Sequence, residues 1–474
     1  MKRLKYFILV LFILPIAFLF SGCETVPYVI SIEKVSETDN IATFEVTYSD
    51  DTTSYFVVEN GEDGQDGQDI TIDEIFQKCV SLGLYEDTLD GYQQFLSDYL
   101  TIEVEDTSET ASAVKVMKSA VSVYTVFGTE PYTGAGVIYS MDTSADGYTY
   151  IITNYHVTNM GEVIGHIPTG NELRADEIYI YLYGSETYAQ YKDDTYSFGA
   201  SAIECEYVGG ARNYDLAILR AKTSDILAVN ENACAVTLAD GYTLSETVMA
   251  IGNPEGVGIS LSKGTVSMTY NEIQMEIIEG KDDVTLRVLT TDTAINGGNS
   301  GGGLFNMQGE LVGIINSSLE STADCIEGMA NALPVDNVVK VADNIIEYYE
   351  STGSVSEGVR KLYLGINYIA ENSKAEYDEQ GLTLTDDLVV TYVMSNTTAY
   401  GKLRIGDVIT GIVIERNGVK TTTMFNMTYE LSDMLLTVRE GDAVYLKVLR
   451  GDSTEEQDIL ISSSVTSSML TVIE

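Results

Sequence analysis

The residue in this chain best placed to do chemistry is a serine set among glycines, in the run Gly297-Gly298-Asn299-Ser300-Gly301-Gly302-Gly303-Leu304. Glycine lets the backbone take turn conformations closed to other residues and come close to a ligand. A loop of that kind aims backbone N–H groups at a developing oxyanion beside a nucleophilic hydroxyl. Alone, it would read as an ordinary turn. A serine hydroxyl also needs a base, and this chain of 474 residues has only two histidines. His156 stands in Thr153-Asn154-Tyr155-His156-Val157, directly after the apolar run Tyr150-Ile151-Ile152, where a strand end can present it. His166, in Gly165-His166-Ile167-Pro168, reads as a loop residue. An aspartate, Asp215, opens a second apolar run, Leu216-Ala217-Ile218-Leu219.

A core histidine, a strand-capping aspartate and a glycine turn are each unremarkable. Three such features at strand edges, in the order His, Asp, Ser, match one of the unrelated chain orders that build a nucleophilic triad. Ser300 then attacks a carbonyl, His156 takes and returns the proton, and Asp215 holds the imidazole and stabilises its cation. The N–H groups of Gly298 and Ser300 form the oxyanion hole. Adjacent glycines are costly to order, so Gly297-Gly298 predicts a loop partly disordered without ligand and organised by substrate or a bound peptide.

These segments resemble the HtrA/Deg family of trypsin-like serine proteases. Thr153–Val157 is similar to its Thr-Asn-x-His-Val, and Asp215–Leu219 to its Asp-Leu-Ala-x-Leu. Thr291–Gly302 resembles its nucleophile loop, and Gly309-Glu310-Leu311-Val312-Gly313-Ile314 the strand after it. Thr133–Ile138, Asn253-Pro254 and Gly264-Thr265-Val266-Ser267 fit the remaining stretches, so the likeness runs from near Ala111 to the end of the sequence. It implies a mainly β fold, a chymotrypsin-like double β-barrel, over 111–350. It also implies that Ala294, Asn316 and Ser317 line the primary specificity pocket. With no acidic residue where trypsin-like enzymes place one for Lys or Arg, a small or medium apolar side chain before the scissile bond is expected.

Residues 361–474 resemble a PDZ domain. Tyr363-Leu364-Gly365-Ile366 looks like its carboxylate-binding loop, and Leu403-Arg404-Ile405-Gly406-Asp407-Val408-Ile409 like a following turn and strand. Met427, Leu431, Met434, Leu435 and Val438 give a helix stripe. Such a domain adds a peptide as an extra strand and captures its C-terminal carboxylate on backbone N–H groups.

The start of the chain reads as a targeting segment. Lys2, Arg3 and Lys5 precede the apolar run Phe7–Phe20, which is too short for a comfortable membrane span. Phe20-Ser21-Gly22-Cys23 resembles a lipoprotein cleavage box, so 1–22 is expected to be removed and Cys23 to carry a lipid anchor, placing the protein outside the cytoplasmic membrane. Residues 23–59 read as short alternating strands. Residues 60–70 (Asn60 to Ile70) are an acidic Gly-rich linker. Residues 71–110 read as a small helical region opened by the capping box Thr71-Ile72-Asp73-Glu74. In the protease region Pro334 should open a helix ending near Gly353, with Val335, Val338, Val339, Ala342, Ile345 and Ile346 as its apolar stripe.

Composition bounds the partners. Asp and Glu number 72 against 26 Lys and Arg, a formal net charge of −46. Such a surface repels phosphate backbones, so nucleic acid is excluded as a partner. Cys79, Cys205, Cys234 and Cys325 lack C-x-x-C spacing, so no metal and no cofactor is implied, and their disulfide pairing is left open. The family implies unfolded or misfolded proteins as substrates, peptide C-termini at the PDZ domain and a homotrimer. The alternative is a membrane-anchored chaperone or peptide-binding lipoprotein with a latent protease domain.

Overall fold

The computed structural model describes residues 29–38, 41–48, 53–59, 80, 109–185, 190–192, 195–316, 329–378, 381–451 and 453–474. The leader, Cys23, the acidic linker, nearly all of the 71–110 region, Cys79, Ser317 and Cys325 lie outside them. The chain divides into two units, Met1–Glu103 and Val104–Glu474. In the first, β1 (Val29–Thr38), β2 (Ile41–Tyr48) and β3 (Thr53–Glu59) form an antiparallel meander with Phe44 opposite Phe56.

The second unit begins with a short helix, α1 (Glu109–Met117), and then two β-barrels. The first is a sheet in the order β12-β9-β4-β5-β6-β14-β13-β22. Its members are β4 (Ala120–Phe127), β5 (Glu130–Met141), β6 (Tyr148–Thr153), β9 (Glu177–Leu182), β12 (Ile203–Glu204), β13 (Glu206–Ala211), β14 (Leu216–Lys222) and β22 (Ser356–Glu357). Strand β12 runs through Cys205 into β13, so that counted as one strand they close a six-stranded ring, with β22 added on β13. Between β6 and β9, a four-residue helix, α2 (Tyr155–Thr158), leads into the hairpin β7 (Asn159–Ile164) and β8 (Ile167–Arg174). A small hairpin of β10 (Gln190–Lys192) and β11 (Thr195–Ser197) follows β9, and helix α3 (Thr223–Val229) follows β14.

The second barrel contains β15 (Thr237–Leu238), β16 (Thr247–Gly252), β17 (Ser260–Met275), β18 (Val284–Thr291), β19 (Gly303–Asn306), β20 (Glu310–Asn316) and β21 (Ala330–Pro334). Their order is β15-β20-β19-β16-β17-β18-β21, and β21 also pairs with β20, which closes a six-stranded ring. Near-continuous apolar runs such as Val248–Ile251 and Leu311–Ile315 are buried on both faces, as strands facing a filled barrel on one side and packed chain on the other must be. Burying one such Val, Ile or Leu side chain contributes roughly 1.5–3 kcal/mol.

Helix α4 (Val335–Thr352) follows Pro334 and ends at Gly353, as its residues predict. Val338, Val341, Ala342 and Ile345 are fully buried against the barrels. The C-terminal region then has a core of its own, built on Leu388, Ile412, Leu431, Leu446 and Ile461. Strand β23 (Val359–Leu362) pairs with β30 (Leu470–Ile473). A sheet in the order β24-β25-β26-β28-β29 is made of β24 (Ile366–Asp378), β25 (Gly381–Val393), β26 (Val408–Arg416), β28 (Ala443–Leu449) and β29 (Gln457–Ser462). Strand β27 (Val419–Met424) pairs with β26, and helix α5 (Tyr429–Leu435) packs Leu431 and Leu435 inward. Strands β24 and β25 form a long hairpin whose only rungs to β26, among the described residues, are at Leu388 and Val389.

This region is docked on the barrels through a buried ionic cluster. Arg287 of β18, with a side chain 10% exposed, donates to Asp336 of α4 and Asp433 of α5, both at 2.7 Å. Its guanidinium lies 4.3 Å from the ring of Tyr429, which stacks on Tyr270. Asn337 donates to the other oxygen of Asp433 at 2.9 Å.

Candidate active site

The antiparallel register of β6 and β14 brings the base and its aspartate together. Ala217 faces Thr153, so the residues just beyond these strand ends meet although they are 59 apart in the chain. His156 leaves β6 on the short α2. Asp215 caps a 3-10 turn, Arg212–Tyr214, in the left-handed conformation (φ 46°, ψ 42°) that points its side chain back at the imidazole. His156 Nδ1 lies 2.8 Å from Asp215 Oδ2 and 3.0 Å from Oδ1, and the His156 backbone N–H donates to Oδ1 at 3.1 Å.

Asp215 is fully buried, and a buried carboxylate must be satisfied by donors. Asn316, 2% exposed at the end of β20, supplies one more: its Nδ2 donates to Asp215 Oδ2 at 2.9 Å. Asn154, also fully buried, donates from Nδ2 to the Asp215 carbonyl at 2.8 Å. The structure thus ties Asn316, expected in a substrate pocket, to the aspartate. Ala294 is exposed, and its carbonyl accepts from Ser262 at 2.8 Å.

Ser300 lies on the seam of the two barrels. Its carbonyl accepts the N–H of Ala135 from β5 at 2.8 Å. On its other side Gly301 donates to Ile315 of β20, and Ile315 donates to Gly302. Gly301 has φ 84°, and a Cβ there would lie 2.3 Å from the Ala135 carbonyl oxygen and from Thr153 Oγ1. Only glycine fits, and this close approach sets the serine loop against the strand end that carries His156. Gly298 has φ 88°, and a Cβ there would meet the Asn253 carbonyl at 2.3 Å. The Gly297 carbonyl accepts the N–H of Glu255 at 2.8 Å. In a planar trans peptide C=O and N–H point in opposite directions. The Gly298 N–H is therefore turned away from Glu255, as an oxyanion donor beside Ser300 has to be.

Asn253, fully buried, holds the loop behind: its Nδ2 donates to the Gly134 carbonyl and its Oδ1 accepts from Gly258. Asn154, Asn253 and Asn316 are the site residues whose roles the sequence did not give. Their signal is physical: each is a polar side chain at the end of an apolar strand, where burial demands a partner.

The hairpin of β7 and β8 packs beside the base. Tyr155, next to His156, donates to Glu172 of β8, and burial together with that carboxylate raises its phenol far above the usual range. His166 occupies the hairpin turn with φ 67° and is exposed. Cys205 is buried and free, and Cys234 is also free. Among the described residues no group of three or more His, Cys, Asp or Glu could hold a metal ion.

In the C-terminal region Tyr363 is exposed, Leu364 is buried, and Gly365 (φ 72°) packs against Thr397. The carbonyls of Tyr363, Leu364 and Gly365 accept hydrogen bonds from Thr398, Ala399 and Met394. Ile366 then opens β24, an edge strand of its sheet.

Two six-stranded barrels with a His–Asp pair and a glycine-bound serine at their seam define a chymotrypsin-like serine peptidase fold. Residues 134–314 match the trypsin-like peptidase domain family. A probable periplasmic serine endoprotease DegP-like from Pseudomonas putida (strain GB-1) is 29% identical over 323 residues, which is 68% of this chain and 54% of that protein. The serine protease Do-like HtrA of Lactococcus lactis subsp. lactis (strain IL1403) is 27% identical over 343 residues, 70% of this chain and 71% of that one. Among solved structures, the HtrA-type protease AlgW with a tripeptide has 26% identity, covers 74% of this chain and 95% of its own, and gives a TM-score of 0.45. The chain spans about half the length of the Pseudomonas relatives it matches. Residues 134–314 thus carry a trypsin-like peptidase domain, and the chain is similar to serine endoproteases of the HtrA/DegP type.

Proposed function

We propose that this chain is an extracytoplasmic serine endopeptidase that cleaves unfolded or misfolded proteins by acyl transfer at Ser300. The observation that carries the reading is the two-oxygen contact of Asp215 with His156 Nδ1, made at the seam where the serine loop docks. Asp215 fixes the imidazole with Nδ1–H toward the carboxylate, which leaves Nε2 as the acceptor for the serine proton. Ser300 Oγ adds to the scissile carbonyl, and the oxyanion is received by the N–H groups of Gly298 and Ser300. The imidazolium then returns the proton to the leaving amine, and water repeats the cycle on the acyl-enzyme.

A small or medium apolar residue before the scissile bond follows from the same reading, with Ala294 at the pocket wall. The C-terminal region is read as a PDZ domain that takes peptide C-termini. Three successive carbonyls, of Tyr363, Leu364 and Gly365, are bonded inward, which turns the N–H groups of Leu364, Gly365 and Ile366 the other way, toward a carboxylate. Lipid anchoring at Cys23, a homotrimer and an extracytoplasmic location complete the proposal; periplasmic relatives support the last.

The deciding experiment is cleavage of unfolded casein by the chain and by its Ser300→Ala variant, beside labelling with a fluorophosphonate. Cleavage and labelling in the parent, both absent in the variant, are expected. Cleavage that survives Ser300→Ala would refute the assignment of the nucleophile. Best cleavage after Lys or Arg would refute the apolar preference.

A further inference from the structure

The turn that presents Asp215 is held both by the second barrel and by the C-terminal region. Its three residues, Arg212–Tyr214, are each tied down. Arg212 donates to the Asp282 carbonyl at 3.0 Å, on the connection from β17 to β18. Tyr214 is half-buried against the main core and lines a cavity with Leu286 and Tyr368. The Asn213 backbone N–H donates at 2.7 Å to a main-chain oxygen of Glu474, just past β30. Strand β30 belongs to the C-terminal region, and its last rung to β23 is Ile473 opposite Val359.

Two further features show that this contact is built into the packing. Gly358 (φ 115°) lies so close to the segment that a Cβ there would sit 2.3 Å from the Ile473 carbonyl oxygen and 3.0 Å from the Glu474 Cα. Ile473 packs on the main core of the barrels and lines the same cavity of about 330 Å³ as Asn213, Tyr214 and Arg287. The Asn213 side chain does not supply the tie, since its Oδ1 is buried without a partner.

We infer that the segment Ile473–Glu474 is a splint for the catalytic aspartate: by accepting the Asn213 N–H it fixes the turn that aims Asp215 at His156. Asp215 sits two residues beyond that bond, in a left-handed conformation that tolerates little drift. Ile473 and Glu474 are positioning residues, acting through Asn213. The inference rests on the proposed triad.

The test compares Asn213→Pro, which deletes the donor, with Asn213→Ala, which keeps it and serves as the matched reference. Relative to Asn213→Ala, the proline variant should lose about tenfold to a hundredfold in kcat with KM changed less than about threefold, the range expected when a reacting group is misplaced by a fraction of an ångström to 1 Å. The acid limb of its kcat/KM profile should move to lower pH, because a carboxylate that no longer faces Nδ1 squarely stabilises the imidazolium less. Equal kcat and superimposable profiles for the two variants overturn the splint. If the proline variant loses its cooperative thermal transition, Ile473→Ala is read in its place. It approaches the same bond from the other side, should lower kcat in the same direction, and an unchanged kcat and profile there overturns the inference. Asp215→Asn is the control for the underlying reading: if it leaves kcat intact the triad assignment fails, whereas a large loss there with none in Asn213→Pro refutes only the splint.

Discussion

Two buried charges in this molecule are satisfied in opposite ways. At the seam of the barrels, Asp215 is surrounded by neutral donors: an imidazole, a backbone N–H and the amide of Asn316. At the junction with the C-terminal region, Arg287 is met by two carboxylates and an aromatic face. Neutral donors fix the geometry of a carboxylate without cancelling its charge, which must remain to stabilise an imidazolium. Opposed formal charges hold two parts of a chain together, but they respond to pH and to loss of one partner. The first arrangement suits a reaction centre and the second a joint.

The sharpest way to break the comparison is at the carboxylate itself. Asp215→Asn keeps the shape but favours the wrong tautomer, and kcat on a chromogenic peptide should fall about 10⁴-fold, the scale seen for such triads. A loss under tenfold would mean that neutral donors alone position the base.

At the joint, Arg287→Met leaves Asp433 buried without its cation. Uncompensated buried charges of this kind cost ~3–5 kcal/mol. The thermal midpoint should fall, and limited proteolysis near Ser354 should accelerate. Arg287→Met combined with Asp433→Leu should recover much of that loss. No recovery would show that the pair works through something other than mutual neutralisation.

The smallest effect separates the two regions by pH. Burial lifts Asp433, Glu430 and Asp386 above the ordinary carboxylate range, against the opposing pull of Arg287 on Asp433. Each then binds a proton more readily folded than unfolded. Their contribution is fully present below the ordinary carboxylate range and is lost as pH rises through the raised values. Glu430→Gln should therefore match the parent in thermal midpoint near pH 4 and exceed it increasingly toward neutrality. Parallel curves for the two proteins would show that burial does not lift the Glu430 carboxyl.

Much of the site could be read from the chain because its chemistry is written in short local runs. His156, Asp215 and Ser300 each stand at the boundary of an apolar strand, and Gly298, Gly301 and Gly302 are there because no side chain fits. Helix α4 was equally legible, from Pro334 at its start and its apolar stripe. What could not be read is whatever depends on two strands meeting. Asn316 reaches Asp215 across 101 residues of sequence, and nothing in its neighbours says which way its amide turns. Arg287 is one cation in the run Val284-Thr285-Leu286-Arg287-Val288-Leu289, and its partners Asp336 and Asp433 lie on two separate helices.

The long hairpin of β24 and β25 carries a different consequence, one of colloidal behaviour. Beyond Leu388 its strands pair with each other and have no rung to β26; on the β25 side the Asp386 N–H is taken by the Asn426 carbonyl, so the outer edge of β24 is the one open to a strand from another molecule. Glu371, Lys374, Glu376, Asp386 and Asp387 stand along this stretch, where charge keeps such edges apart. Exposed Tyr377, Leu382 and Leu384 near its tip supply the apolar surface that would hold a mispaired strand once formed. The charges along this hairpin therefore guard one open edge against mispairing, and neutralising them should raise light scattering at concentrations where the barrels are untouched.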